Sequence, residues 1–208
     1  PDNTLTPVQQ AVFEAAAARW SELIVADVPD VSYQGRVIDD LEITATAPAI
    51  DGPGGILGQA GPREFRAGTA LPFFGVMQFD SADVASMVAQ GTFTDVILHE
   101  MGHVLGLGTL WNFKNLVQGI GTNNPIYVGA NALREYQTLS GSTATGIPVE
   151  NVGGQGSIGS HWRESVFNNE LMTSLAEIPG VPMPISRMTV GALEDLGYTV
   201  DYEAADPY

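Results

Sequence analysis

Cysteine is absent from the 208-residue chain, which excludes disulfide bridges, cysteine-ligated zinc sites and thiol nucleophiles. Basic residues are scarce: eight Lys and Arg stand against 24 Asp and Glu, giving a formal net charge of −16, and Lys114 is the one lysine. This charge repels phosphate backbones, so we expect no nucleic-acid partner. It fits solubility outside cells and calcium ligation by carboxylates. No apolar run approaches the roughly 20 residues of a membrane-spanning helix, so we expect no membrane span.

The length and the apolar content favour a folded domain over a disordered chain. Apolar residues make up 44% of the sequence, which is enough to form a packed core. A chain of this length buries roughly 70% of the surface that its unfolded form exposes. We therefore expect one large domain or two closely joined halves.

The first segment has the pattern of a capped amphipathic helix. Thr6 can act as the N-cap, Pro7 suits the first helical position, and Gln9 completes a capping box. Apolar residues then recur at helical spacing, namely Phe13, Ala17, Trp20 and Ile24. The pattern predicts a structural helix that presents this apolar face to a core.

Strands and turns are predicted from Val37 to about Phe79. Residues 41–46 alternate between apolar and polar side chains, as a half-buried strand does. The glycine-rich run 51–55 predicts a loop, and 56–60 is a candidate strand. The run 73–79 predicts a further strand, and 82–90 predicts a short helix.

The second half is richer in loops. Residues 107–160 contain many Gly, Asn, Ser and Thr, with one predicted helix from Ala130 to Leu139. A last helix is expected to begin at Thr189 and to end at Gly197. The change in composition predicts two subdomains of one catalytic domain, 1–106 and 107–208.

Two of the three histidines in the chain frame a metal-binding pattern. Residues 99–103 read His-Glu-Met-Gly-His, in a predicted helix capped by Thr92 or Thr94 that ends near Gly106. Helical spacing places His99, Glu100 and His103 on one side, so both imidazoles can reach one zinc ion beside the glutamate. A buried Glu100 with only an ion-pair role is the structural alternative.

A catalytic zinc site needs a third protein ligand and an open fourth position. His161 is the remaining imidazole of the chain. A lone histidine is ordinarily a structural residue, and that interpretation stays open. Because no other histidine or cysteine exists, we favour His161 as the third ligand.

The histidine motif resembles the metzincin signature His-Glu-x-x-His-x-x-Gly-x-x-His. Thr109 stands where most metzincins have their third histidine. The leishmanolysin-like branch inserts a segment at this point, and residues 159–164 and 170–173 resemble the His-Trp and Glu-Leu-Met region of that branch. The resemblance implies that His161 is the third ligand and that Met172 is the methionine of the Met-turn. The chain is thus identified as a distant, cysteine-free, bacterial relative.

The resemblance implies an α+β, metzincin-like fold. The expected N-terminal part is a twisted mixed sheet with a backing helix and an active-site helix. The expected C-terminal part is a loop-rich subdomain with the Met-turn. A cleft-lining strand is implied at 73–79, although a core strand is equally ordinary there.

The leading functional hypothesis is a secreted, monomeric zinc endopeptidase acting on proteins or peptides. Zinc would activate a water molecule, and Glu100 would act as the general base. One alternative is a zinc-stabilised extracellular binding module without turnover. Another is an acidic calcium-binding domain in which the histidine motif is incidental.

Calcium is a further expected ligand. Asp80 and Asp83, together with the loop at Asp51, offer the hard oxygen ligands that calcium prefers. A solvated turn or a helix cap is the alternative that we favour for these carboxylates.

Overall fold

The computed structural model describes residues 6–208 and has an α+β fold. Within the described residues there are six α-helices and three small sheets. None of these helices has both the length and the apolar character needed to cross a membrane. The chain divides into two compact units. The first contains residues up to Ser21, 26–105 and 178–180, and the second contains 22–25, 106–177 and 181–208.

The elements of the first unit follow the predicted order of helix, strands and helices. They are α1 (Pro7–Leu23), β1 (Val31–Tyr33), β2 (Arg36–Ile38), β3 (Glu42–Thr46), β4 (Gly58–Phe65), β5 (Pro72–Phe79), α2 (Val84–Gln90) and α3 (Phe93–Leu105). The last two residues of α1 belong to the second unit.

Helix α1 begins with the predicted capping box. The backbone N–H of Gln9 donates to the Thr6 hydroxyl oxygen at 3.3 Å, and the Thr6 N–H donates to Oε1 of Gln9 at 2.8 Å. These two bonds satisfy donors that a helix N-terminus otherwise leaves unpaired. The sequence prediction for the start of α1 is therefore confirmed.

The main sheet of the first unit is mixed, as expected, with the strand order β3-β5-β4. Strand β3 runs parallel to β5, and β4 runs antiparallel to it. Strand β4 extends to Phe65, beyond the predicted 56–60, although it contains Pro62 and shifts its register after that residue. Because β5 is the central strand, the structure supports a core strand at 73–79.

Three aromatic rings form the centre of the first unit. Phe13 of α1 contacts Phe79 of β5 and Phe93 of α3, with ring centroids 5.6 and 6.0 Å apart, and all three side chains are buried. Edge-to-face contacts of this kind add to the stability gained from apolar burial. They fix α1 and α3 against the sheet.

The second unit contains short strands between helices. Its elements are β6 (Val117–Gln118), β7 (Ile126–Tyr127), α4 (Ala130–Ser140), β8 (Ile147–Pro148), α5 (Glu164–Phe167), α6 (Arg187–Leu196) and a 3₁₀ turn (Tyr202–Ala204). The three strands form one antiparallel sheet in the order β6-β7-β8. The predicted helix at Ala130 is confirmed and ends one residue later than expected.

Helix α6 begins earlier than predicted. Its first residue is Arg187, not Thr189, because the Ser186 side chain caps the helix by accepting a hydrogen bond from the Thr189 N–H. The end is as predicted: Gly197 has a φ of +114° and its N–H donates to the carbonyls of the last turn. This left-handed conformation favours glycine.

Helices α4 and α6 pack closely at a glycine. A Cβ added to Gly191 would lie 2.7 Å from the Ala132 backbone, so a larger residue would force the helices apart. One turn later, the Asp195 carboxylate accepts hydrogen bonds from the N–H groups of Asn131 and Ala132 at 2.9 and 3.1 Å. Asp195 therefore caps the N-terminus of α4 from a neighbouring helix.

Candidate metal centre

Helix α3 carries the His-Glu-x-x-His motif in the predicted place. It begins at Phe93, directly after Thr92, and ends at Leu105. Gly106 follows with a φ of +113°, the left-handed conformation expected at a helix end. The apolar stripe of Ile97, Met101 and Val104 on α3 is buried. Burial of this stripe leaves the other side of α3 to carry the motif.

The structure brings the two imidazoles of α3 together. Nε2 of His99 and Nε2 of His103 are 3.0 Å apart, and the rings meet edge to face with centroids 4.6 Å apart. His103 is buried and His99 is half-buried. This separation allows both nitrogens to bond to one ion at the Zn–N distance of about 2.0–2.1 Å.

Glu100, which lies between these histidines in the sequence, is buried. The residue is 5% exposed, and its Oε2 has no hydrogen-bond partner among the described residues. Burial raises the pKa of its carboxyl to about 8. Among the described residues, no basic side chain contributes to this shift in the pKa of Glu100, so the ion-pair alternative receives no support there. An unpaired buried carboxylate is costly, which is typical of a functional site.

Two contacts fix the position of α3 within the first unit. Nε1 of Trp20 donates a hydrogen bond to the Leu98 carbonyl at 3.1 Å, one residue before His99. A Cβ on Gly75 of β5 would lie 2.3 Å from Cγ1 of Val104, so glycine is what permits this close approach. The helix is therefore held by both α1 and the sheet.

His161 lies in the second unit, and its ring orientation is set by a turn. The residue is 6% exposed. Its Nδ1 lies 3.2 Å from the Ser157 carbonyl oxygen and 3.1 Å from the Ser160 hydroxyl. The Ser160 hydroxyl itself donates to the Gly156 carbonyl at 2.6 Å. Since a carbonyl only accepts, the proton of a neutral His161 ring belongs on Nδ1, which leaves the lone pair on Nε2.

Met172 is fully buried in the second unit, two residues after the buried Glu170. The Met172 carbonyl accepts a hydrogen bond from the Trp162 N–H at 2.9 Å, and its own N–H donates to Oε2 of Glu170 at 2.7 Å. The segment that contains Met172 is thus bonded to the residue that follows His161.

Glu170 holds this segment in place, a role that sequence reasoning missed. Its Oε1 accepts hydrogen bonds from both the N–H and the hydroxyl of Ser186 and from the Thr189 hydroxyl. Complete burial raises the pKa of Glu170, and the hydrogen bonds oppose that shift. From the sequence, Glu170 could be recognised only as part of the motif that contains Met172. Its hydrogen-bond partners, Ser186 and Thr189, are 16 and 19 residues away, so no local sequence pattern indicates them.

Glu150 is a second buried carboxylate that the sequence did not reveal. It accepts hydrogen bonds from the N–H groups of Asn151, Val152 and Glu164 and from the Ser174 hydroxyl. Burial alone would raise its pKa, but these donors outweigh that effect and lower it. Glu150 therefore fastens the segment that precedes His161 to the start of α5.

The carboxylates considered for calcium lie in the first unit. Oδ2 of Asp80 accepts hydrogen bonds from the N–H groups of residues 50, 51 and 52, and Oδ1 accepts from that of Ala82. Oδ1 of Asp83 accepts from the Gly54 N–H, while its buried Oδ2 has no partner among the described residues. Asp80 accepts from turn N–H groups but is fully buried, so the expectation of a solvated turn is wrong for this residue. Calcium binding stays a prediction.

Comparison with known proteins identifies the family to which the chain belongs. A family profile described as leishmanolysin matches residues 66–207, which is more than half of the chain and includes the three histidines and Met172. The chain belongs to the leishmanolysin family. This confirms the resemblance drawn from residues 99–106 and 159–173.

Two relatives within the family show how distant the similarity is. Leishmanolysin of Leishmania major is 30% identical over 145 residues, or 65% of this chain. A leishmanolysin homolog of Crithidia fasciculata is 28% identical over 135 residues, or 61% of this chain. These alignments cover 23% and 20% of the two relatives, so the matched part of the chain spans only a fifth to a quarter of their length.

Proposed function

We propose that this chain is a zinc-dependent endopeptidase with His99, His103 and His161 as zinc ligands and Glu100 as the general base. The observation that carries the proposal is the pair of converging imidazoles on α3, His99 and His103. Glu100, the next residue after His99, is buried, and its Oε2 has no partner among the described residues. Membership of the leishmanolysin family supports the same function. The proposed architecture is one metzincin-like catalytic domain formed by 1–106 and 107–208.

The donor set fits zinc. Three imidazoles are the candidate ligands, and three nitrogen ligands with an open position are typical of catalytic zinc. The proton position on His161 is the one that a ligand nitrogen at Nε2 requires. When bound, zinc supplies a positive charge that lowers the pKa of water and polarises a carbonyl oxygen.

Glu100 performs the proton transfers in the proposed reaction. As an anion, its carboxylate accepts a proton from the attacking water and then donates that proton to the leaving amine. Burial alone favours the neutral acid, with a pKa of about 8, so a nearby positive charge is needed to restore the base at neutral pH.

Met172 is proposed to form the Met-turn, with Glu170 holding it in place. We propose that an extended peptide substrate pairs with the edge of β4, which is an edge strand among the described residues. The protein is further proposed to be secreted and monomeric, with proteins or peptides as substrates.

The test is cleavage of casein by the full chain, with zinc content measured on the same samples. We expect activity in the wild type, loss on chelation, and a loss of at least about 100-fold in Glu100→Gln. The variant should still bind one zinc per chain. Glu14→Gln, an exposed change on α1, is the control and should keep full activity. A zinc-loaded wild type that cleaves no peptide would instead indicate the binding-module alternative.

A further inference from the structure

In the second unit, Gly108 lies close to the backbone of Ser160, the residue before His161. A Cβ added to Gly108 would lie 1.9 Å from the Ser160 carbonyl oxygen and 2.8 Å from the Ser160 carbonyl carbon. Real Cβ atoms do not approach backbone atoms so closely, so any other residue at 108 must displace this backbone. Gly108 also has a φ of +72°, which L-residues with side chains rarely adopt.

The backbone at Ser160 has little freedom to move away. The Gly159 N–H donates to the Glu150 carbonyl at 3.0 Å, and the Glu150 N–H donates to the His161 carbonyl at 2.9 Å. The Ser160 hydroxyl is bonded to the Gly156 carbonyl on the same turn. A displacement forced at Ser160 therefore passes directly to the His161 ring and to its Nδ1 hydrogen bonds.

We propose that Gly108 is a positioning residue that, together with the turn from Ser157 to Ser160, fixes the His161 ring for metal ligation. The inference rests on the proposed zinc site and adds the residues that orient its third ligand. Groups that orient a metal-bound histidine typically change metal affinity by about 10- to 100-fold when they are altered. Gly108 acts through a steric contact, and the turn acts through hydrogen bonds to Nδ1.

The experiment measures the zinc dissociation constant of the full chain by competition with a chromophoric chelator. Gly108→Ala should weaken zinc binding by about tenfold or more. Gly141→Ala is the matched control, because Gly141 has a similar φ of +62° and no atom within 4 Å of an added Cβ. The control should bind zinc within about twofold of the wild type, since it changes backbone strain without touching the His161 segment.

A double variant separates a positioning role from a general loss of stability. In a His161→Ala background, Gly108→Ala should cause no further loss of zinc affinity, because the ligand that it orients is gone. An equal loss in both backgrounds would overturn the inference, and so would a Gly108→Ala protein that binds zinc like the control. If His161→Ala itself binds zinc as tightly as the wild type, the proposed site fails instead, which is a distinguishable result.

A second variant covers the case in which Gly108→Ala does not fold. Ser160→Ala removes the hydroxyl beside Nδ1 and leaves both Gly108 and the backbone carbonyl of residue 160 unchanged. We expect it to fold and to weaken zinc binding by several-fold, again only when His161 is present. Unchanged zinc affinity in Ser160→Ala would then count against the inference.

Discussion

Gly58 of β4 lies against the side chain of Glu100 on α3. A Cβ added to Gly58 would lie 2.8 Å from Oε1 of Glu100 and 3.1 Å from its Cδ. The neighbouring strand therefore leaves just enough room for the carboxylate that we propose as the general base. A methyl group at position 58 would displace the end of a flexible side chain and not the backbone.

Gly58→Ala should lower kcat by about 10- to 100-fold, because small displacements of a reacting group cost that much. The zinc ligands are untouched, so zinc affinity should not change. Thermal stability should stay equal or rise, since alanine restricts the unfolded chain more than glycine does. The measurements are casein-peptide kinetics, chelator competition and thermal unfolding.

Gln59→Ala is the control for that experiment. Gln59 is the next residue of β4, is exposed, and points to the other face of the strand. It should leave kcat unchanged. An equal loss of kcat in both variants would show that β4 is sensitive throughout and would contradict a specific role for Gly58.

Trp20→Phe should lower the free energy of unfolding by about 1 kcal/mol, the usual contribution of a hydrogen bond. The change removes the Nε1 donor to the Leu98 carbonyl but keeps most of the apolar burial. Urea unfolding at neutral pH measures the difference. A variant as stable as the wild type would mean that the bond does not contribute to holding α3.

Asp195→Ala should destabilise the second unit by about 1 kcal/mol, the typical cost of losing a helix cap. The carboxylate accepts hydrogen bonds from two N–H groups of α4 and from the Tyr127 hydroxyl. Among the described residues, no other side chain is bonded to those two N–H groups. Urea unfolding followed by far-ultraviolet circular dichroism measures the change. Equal stability of the two proteins would show that water replaces the cap without cost.

Asp80 should make stability depend on pH in the acid range. The N–H groups of Ala82 and Gly52 lower its pKa most, burial opposes them, and the N–H groups of Asp51 and Ile50 add to the lowering. A pKa that is lower in the folded state stabilises the fold above the unfolded value of about 4. That contribution is lost as the pH falls through the lower, folded value.

Asp80→Asn tests this dependence. The variant should unfold at a lower temperature than the wild type at pH 7, and the difference should shrink as the pH falls below about 4. A pH-independent difference would contradict the assignment to this carboxylate. The same samples, with added calcium or with a chelator, test the calcium prediction, because calcium bound to the native state would raise the unfolding temperature.

The local signals in the sequence predicted the elements that lie within one stretch of chain. Thr6 and Gln9 are three residues apart, and His99 and His103 are four apart, so each pair could be recognised from spacing alone. The predicted bounds of helices α1, α3 and α4 are therefore close to those in the structure. Leishmanolysin-like residues near His161 identified the family for the same reason, since they form short motifs.

Features made by distant residues could not be predicted. Strands β6, β7 and β8 have two residues each, which is too short for any alternation to show. Arg66 is buried and donates to the carbonyls of Pro29, Pro72, Asp39 and Asp40, which no sequence pattern relates to one another. The start of α6 was misplaced because Thr189 resembles a cap when Ser186, the true cap, is overlooked.

The tryptophans divide unevenly between the two units. Trp111 and Trp162 are fully buried in the second unit with ring centroids 4.5 Å apart, and both contact Tyr127, whereas Trp20 belongs to the first. Near-ultraviolet circular dichroism of this protein will therefore report mainly on the second unit. Loss of packing confined to the first unit would leave most of that signal intact, so optical melting curves must be interpreted unit by unit.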